Sequence, residues 1–173
     1  MPITVLALNY WLHLIATVTW LGGLAMLAFV IWPGMVAGAA QTLEGQAAIK
    51  AFIEQIEKRF RPLANISLGV LIVTGLIQMS EDRHYTGLLK IDSLWAAGLL
   101  AKHIVIAAMV LVSGIAQWGI LPELERAKLL ARRGDSRSVA QETILSQRLR
   151  RLTAANLALG ILVLLATAMI TAL

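Results

Sequence analysis

The sequence predicts an all-α integral membrane protein, a four-helix bundle made of two parallel two-helix repeats with both termini outside. Three observations predict it: four apolar runs long enough to cross a bilayer, a message that recurs after about 90 residues, and basic residues gathered into alternate connections. Of the 173 residues 58% are hydrophobic and 14% charged, and the mean hydropathy is +0.76, too apolar for a soluble domain of this length. One bundle over residues 1–173 uses the whole chain. Cysteine is absent, which excludes disulfides, iron–sulfur clusters and thiolate metal sites. A cofactor must then be held by His, Met, carboxylate or backbone.

The first run, Val5 to Ile31, exceeds the ~20 residues that span a hydrocarbon core. No Lys or Arg precedes it and no clean cleavage site follows, so it is expected to remain as a helix. It closes on Trp32-Pro33. Beyond it, Ile49, Phe52, Ile53, Ile56 and Phe60 recur at three and four, the stripe of a helix that lies along the interface or prolongs the next span. Pro62 marks a helix start or kink there. The second run, Leu63 to Met79, is the shortest, and the third, Leu94 to Leu121, again closes on a proline, Pro122. Gly134-Asp135-Ser136 is a turn that divides the next connection into two helical arms, the second striped by Ile144, Leu145, Leu149 and Leu152. The fourth run is Leu152 to Leu173. Gly22, Gly23, Gly69, Gly75, Gly114 and Gly160 suit close helix approach in lipid, where hydrophobicity gives no drive for association.

The recurrence covers both halves, about 1–85 and 90–173. His13-Leu14-Ile15-Ala16 is echoed by His103-Ile104-Val105-Ile106 at a spacing of 90, and Asn65-Ile66-Ser67-Leu68-Gly69 by Asn156-Leu157-Ala158-Leu159-Gly160 at 91. A parallel repeat has its pseudo-twofold axis along the membrane normal, so both imidazoles are expected to face that axis from the same side.

Charge sets the orientation. Arg126, Lys128, Arg132, Arg133, Arg137, Arg148, Arg150 and Arg151 lie between the third and fourth runs, and Lys50, Lys58, Arg59 and Arg61 between the first and second. The connection between the second and third has only Arg83 and Lys90. The positive-inside rule puts the two basic connections in the cytoplasm and both termini outside, in a prokaryotic plasma membrane. A net charge of +5 segregated in this way is a topology signal and argues against nucleic acid as a partner.

His13 and His103 lie on the order of 10 Å below the outer surface, a depth at which ionisable groups face the bundle interior and mark function. Trp20 shares the His13 face at a spacing of seven. One imidazole on each side of an apolar wall suits a bis-histidine haem b, noncovalent because no cysteine is present. Lys102, about 100° round the helix from His103, and Arg83 are candidate partners for its propionates, joined in the outer loop by His84 and Lys90. The role expected is one-electron transfer with a quinone or periplasmic redox protein, alone, as a homo-oligomer, or as a subunit of a larger membrane complex. Two other readings stay open. The pair can pass copper, although Met26, Met35, Met79, Met109 and Met169 form no Met-x-x-Met relay, or it can be structural, hydrogen-bonded without metal. No carboxylate occurs within a run, so proton-driven transport loses ground, and no hydrolytic constellation or phosphate loop is present.

Trp11-Leu12-His13, Trp20-Leu21-Gly22-Gly23 and Pro33 together resemble the opening of the copper-resistance CopD family. Lys102-His103, Pro122-Glu123-Leu124-Glu125-Arg126 and the Asn156 to Gly160 segment also look CopD-like. The resemblance implies a small polytopic membrane protein and copper import. A weaker resemblance is to HemJ, a haem-binding protoporphyrinogen oxidase family that also pairs an early His with a following Trp and Gly, but the Pro-Arg-Leu-Phe-x-Tyr-His continuation of HemJ is absent here.

Overall fold

The computed structural model describes residues 1–37, 43–81 and 94–171, and these are all-helical apart from one turn and the first two residues. Six helices follow in order: α1 (Ile3–Met26), α2 (Trp32–Ala37), α3 (Leu43–Glu81), α4 (Leu94–Gly114), α5 (Leu121–Ala131) and α6 (Ser136–Thr171). Four continuous helical stretches are long and apolar enough to cross a membrane: Ile3–Gly34, Ala47–Glu81, Ala96–Ala131 and Ser136–Thr171. These are the parts of a membrane four-helix bundle.

Two stretches run through their prolines, where the apolar runs alone stop. A π-helical turn over Leu27–Ile31 joins α1 to α2, and another over Ile115–Ile120 joins α4 to α5. In each, the residue just before the proline bonds five positions back, Trp32 to the Leu27 carbonyl and Leu121 to that of Ala116. Proline has no N–H and its ring crowds the carbonyl four residues back; a wider turn immediately before it absorbs that misfit and lets the helix continue. On the basic side the described residues of the connections are likewise helical, apart from the one turn. Pro62 lies inside the 39-residue α3, which at 1.5 Å per residue is roughly twice the hydrocarbon thickness, so the Ile49 to Phe60 stripe prolongs the second span.

The structure divides into two compact units, Met1–Gly87 and Leu88–Leu173. In the first, α1 packs antiparallel on α3. Asn9, Ala16, Trp20 and Leu24 are buried on α1, and Ser67 and Thr74 on α3. At the far end of this seam Leu27, Ile31, Trp32 and Ile53 form a core with Ile49, Ile56 and Phe60 against it. The Trp32 indole N–H donates to Glu57 Oε1 at 3.0 Å. Gly23 is there for space: the Phe60 ring occupies the position that a β-carbon would take.

In the second unit α6 packs on both α4 and α5. Gly98 closes on Ile170 at one end of the α4–α6 seam, and at the other Asn156 Nδ2 donates to Ser113 Oγ at 2.7 Å. Its supposed counterpart Asn65 is exposed on α3, so the two asparagines do not hold equivalent places. Where α5 packs on α6, Leu124, Ala127 and Leu145 are buried together, with Ile120 and Leu149 against them. The expected turn is present. Gly134 has φ +92, a conformation glycine tolerates, and Asp135 caps α6, its carboxylate accepting from the Ser138 hydroxyl at 2.5 Å and the Arg137 N–H at 3.2 Å. These bonds, that of Ser138 foremost, hold the Asp135 carboxyl below its ordinary range.

Candidate metal site

His13 stands on the α1 face that meets α3. Its neighbours at four before, three after and seven after are Asn9, Ala16 and Trp20, all buried, and Trp20 is only 4% exposed. Its ring lies beside Gly75, within ordinary contact of where a β-carbon would stand. Across the seam, His13 Nδ1 is 2.7 Å from Thr74 Oγ1. The direction of that bond follows from the other one Thr74 makes. Thr74 Oγ1 is 2.6 Å from the Val70 carbonyl, which can only accept, so the hydroxyl proton lies there and the hydroxyl oxygen accepts from His13 Nδ1–H. In the neutral ring the second nitrogen, Nε2, then carries the lone pair. Asn9 ties down the same residue, its Nδ2 donating to the Thr74 carbonyl at 3.2 Å. Thr17, on the His13 face, donates to the His13 carbonyl at 2.8 Å and so serves the helix.

His103 engages the same ring nitrogen by another route. Its Nδ1 is 2.7 Å from the Leu99 carbonyl, one turn back on its own helix, and a carbonyl only accepts. Nδ1 is therefore the donor, and in the neutral ring Nε2 is the lone-pair atom. The face of α4 that meets α6 is marked by Gly98 and Ser113, and Lys102, four residues from Gly98, lies on it, half-buried. At 100° per residue His103 is turned aside from that seam.

Of the residues singled out from sequence, His13 and Trp20 thus share one seam, whereas His103 and Lys102 occupy different sides of α4. Arg83, His84 and Lys90 lie outside the described residues. Asn9 and Thr74 were missed. Their signal was polarity within an apolar run, where an amide or hydroxyl needs a partner, but nothing in the sequence said which helix would supply it. Among the described residues no three of His, Cys, Asp and Glu come together as a metal site.

The family model for copper resistance protein D matches residues 54–170. The chain belongs to the CopD family. No curated protein and no solved structure matches it. The match runs from within α3 to the end of α6, so His103 and Thr74 lie inside it and His13 lies before it. Membership and the four apolar helices make this a multi-pass membrane protein of the copper-resistance class. The match favours copper, the second reading of the histidines, over haem b.

Proposed function

We propose that this CopD-family protein passes copper across the plasma membrane, with the Nε2 atoms of His13 and His103 as metal-binding atoms and both termini outside. The observation that carries the reading is the matched hydrogen bonding of Nδ1 in the two imidazoles. Each has its Nδ1 proton engaged by an oxygen, which directs the lone pair of Nε2 outward from that bond, the arrangement by which proteins orient histidine ligands. Imidazole nitrogen suits copper in either oxidation state, and neutral donors let a cation be released as well as bound. Copper is here the cargo. Trp20, buried about two turns beyond His13, fills the first seam with apolar bulk.

The test measures cell-associated copper in cells expressing the chain, with His13→Ala and His103→Ala. The expected result is copper accumulation above the vector control that either substitution abolishes. Accumulation equal to the vector would sink the permease reading. A red protein with a reducible Soret band lost in both variants would restore haem b and electron transfer in its place. Orientation is tested with cysteine reporters at Gln46, Ser136 and Glu81 and an impermeant thiol reagent on intact cells; only the Glu81 reporter is expected to react.

A further inference from the structure

We propose that Met109, Ser113 and Asn156 form a second cation station on the α4–α6 seam, about 9 to 15 Å beyond His103 toward the basic end at 1.5 Å per residue. The inference rests on the copper reading and adds an inner site to it. It begins from a buried polar group left over. Asn156 is 5% exposed, and after Nδ2 has donated to Ser113 Oγ its Oδ1 remains buried with no hydrogen-bond partner among the described residues. Turning the amide over would hand Oδ1 to the Ser113 hydroxyl and strand Nδ2, so the deficit changes sign without disappearing. At membrane depth such a group is costly, and a leucine would fill the same volume without that cost. Buried polar groups in folded proteins have partners, so a half-satisfied pair in an apolar seam points to a water or ion that completes it.

The surroundings indicate what enters. Met109 is one turn from Ser113 on the same face of α4 and is 6% exposed, so its thioether is held in the seam. The antiparallel register that pairs Ser113 with Asn156 brings Gly160, one turn along α6 and buried, opposite Met109. Gly160 has no side chain to fill that level. A thioether, an amide oxygen and a hydroxyl are all neutral. Water gains little from a thioether, whereas a soft monovalent cation such as Cu(I) binds it, with the two oxygens replacing part of its hydration. A neutral set also holds the ion loosely enough to pass it on.

The experiment titrates Cu(I), under reducing conditions, into detergent-purified full-length protein against a coloured Cu(I) chelator, and follows it by X-ray absorption. Wild type is expected to bind with sulfur among the copper neighbours. Met109→Leu and Asn156→Leu, both close in volume, are expected to lose that sulfur signal and one class of binding while keeping the class abolished in His13→Ala. Met26→Leu and Met169→Leu, both at exposed positions, are expected to change neither. Copper bound without sulfur, or Met109→Leu and Asn156→Leu titrating as wild type, would mean that the pair holds only water; this proposal would then fall with the histidine site intact. No Cu(I) bound by any form would overturn the copper reading together with this one.

Discussion

The two units place a histidine at matching points of the sequence and treat it differently. In the first, His13 sits on the seam, and its Nδ1–H is anchored across it by the Thr74 side chain, itself clamped by Asn9. In the second, the face of α4 that meets α6 carries Gly98, Lys102, Met109 and Ser113, and His103, turned off that face, is anchored by the backbone of its own helix. The residue 91 positions after Thr74 is Leu165, so the threonine anchor is not repeated. The lesson is that one tautomer is reached in two ways, one of them vulnerable to substitution and the other not. The units also differ in where their unmet polarity lies: among the described residues Gln78 Nε2 is buried without a partner one turn from Thr74, and Asn156 Oδ1 at the opposite, basic end of its seam.

The largest effect expected is structural. Gly23→Val puts a branched side chain where the Phe60 ring lies, and overpacking of this kind costs about 1–3 kcal/mol. Thermal unfolding in detergent should show the loss, Gly22→Val should show far less because no described residue lies near that position, and Phe60→Ala should make Gly23→Val less harmful than it is alone. If Gly22→Val is equally harmful, the close approach is not the cause.

The difference in anchoring is sharpened next by Thr74→Val, which removes the acceptor for His13 Nδ1–H at nearly constant volume. Loss of such an outer partner weakens metal binding about 10–100-fold, and Thr74→Ser should retain the affinity. Thr167→Val is the comparison in the second unit. It should leave copper affinity unchanged, since the His103 acceptor is a carbonyl that no side-chain change removes. Equal losses from both substitutions would erase the distinction.

A smaller effect is expected from Trp32→Phe, which deletes the bond to Glu57; a net hydrogen bond contributes about 1 kcal/mol. Unfolding midpoints of wild type, Trp32→Phe and Glu57→Gln would show whether the indole requires the carboxylate. The smallest concerns Asp135, which has no part in either seam. Its folded-state pKa is lowered, so the stability it contributes is fully present above its ordinary value of 3.8 and is lost as pH falls through the lower folded value. Asp135→Asn should remove that acid-dependent component and leave a stability profile flatter in this range, read by helix content against pH.

Much of this was legible in the residues. The prolines at Pro33 and Pro122, the stripes at Ile49 to Phe60 and Ile144 to Leu152, and the Gly134-Asp135-Ser136 turn each pointed to a feature that is present. The extents were less legible. Pro33 and Pro122 were read as ends because a proline cannot donate to its helix, but a preceding π turn removes that objection, and such a turn has no distinct sequence mark. Asn65 and Asn156 looked equivalent because they match in sequence, yet one is exposed and the other buried.

By itself, then, the sequence determined the class and the number of membrane-length helices, because length and apolarity are local properties that any lipid environment imposes. Which face of each helix turns inward was decided only by tertiary packing. In a soluble helix the polar side names the buried one, but a span is apolar all round, and its pattern carries almost no direction. The choice falls instead to small contacts, a ring over Gly23, Ile170 against Gly98, one amide on Ser113, and these put His13 on its seam and turned His103 away from its own.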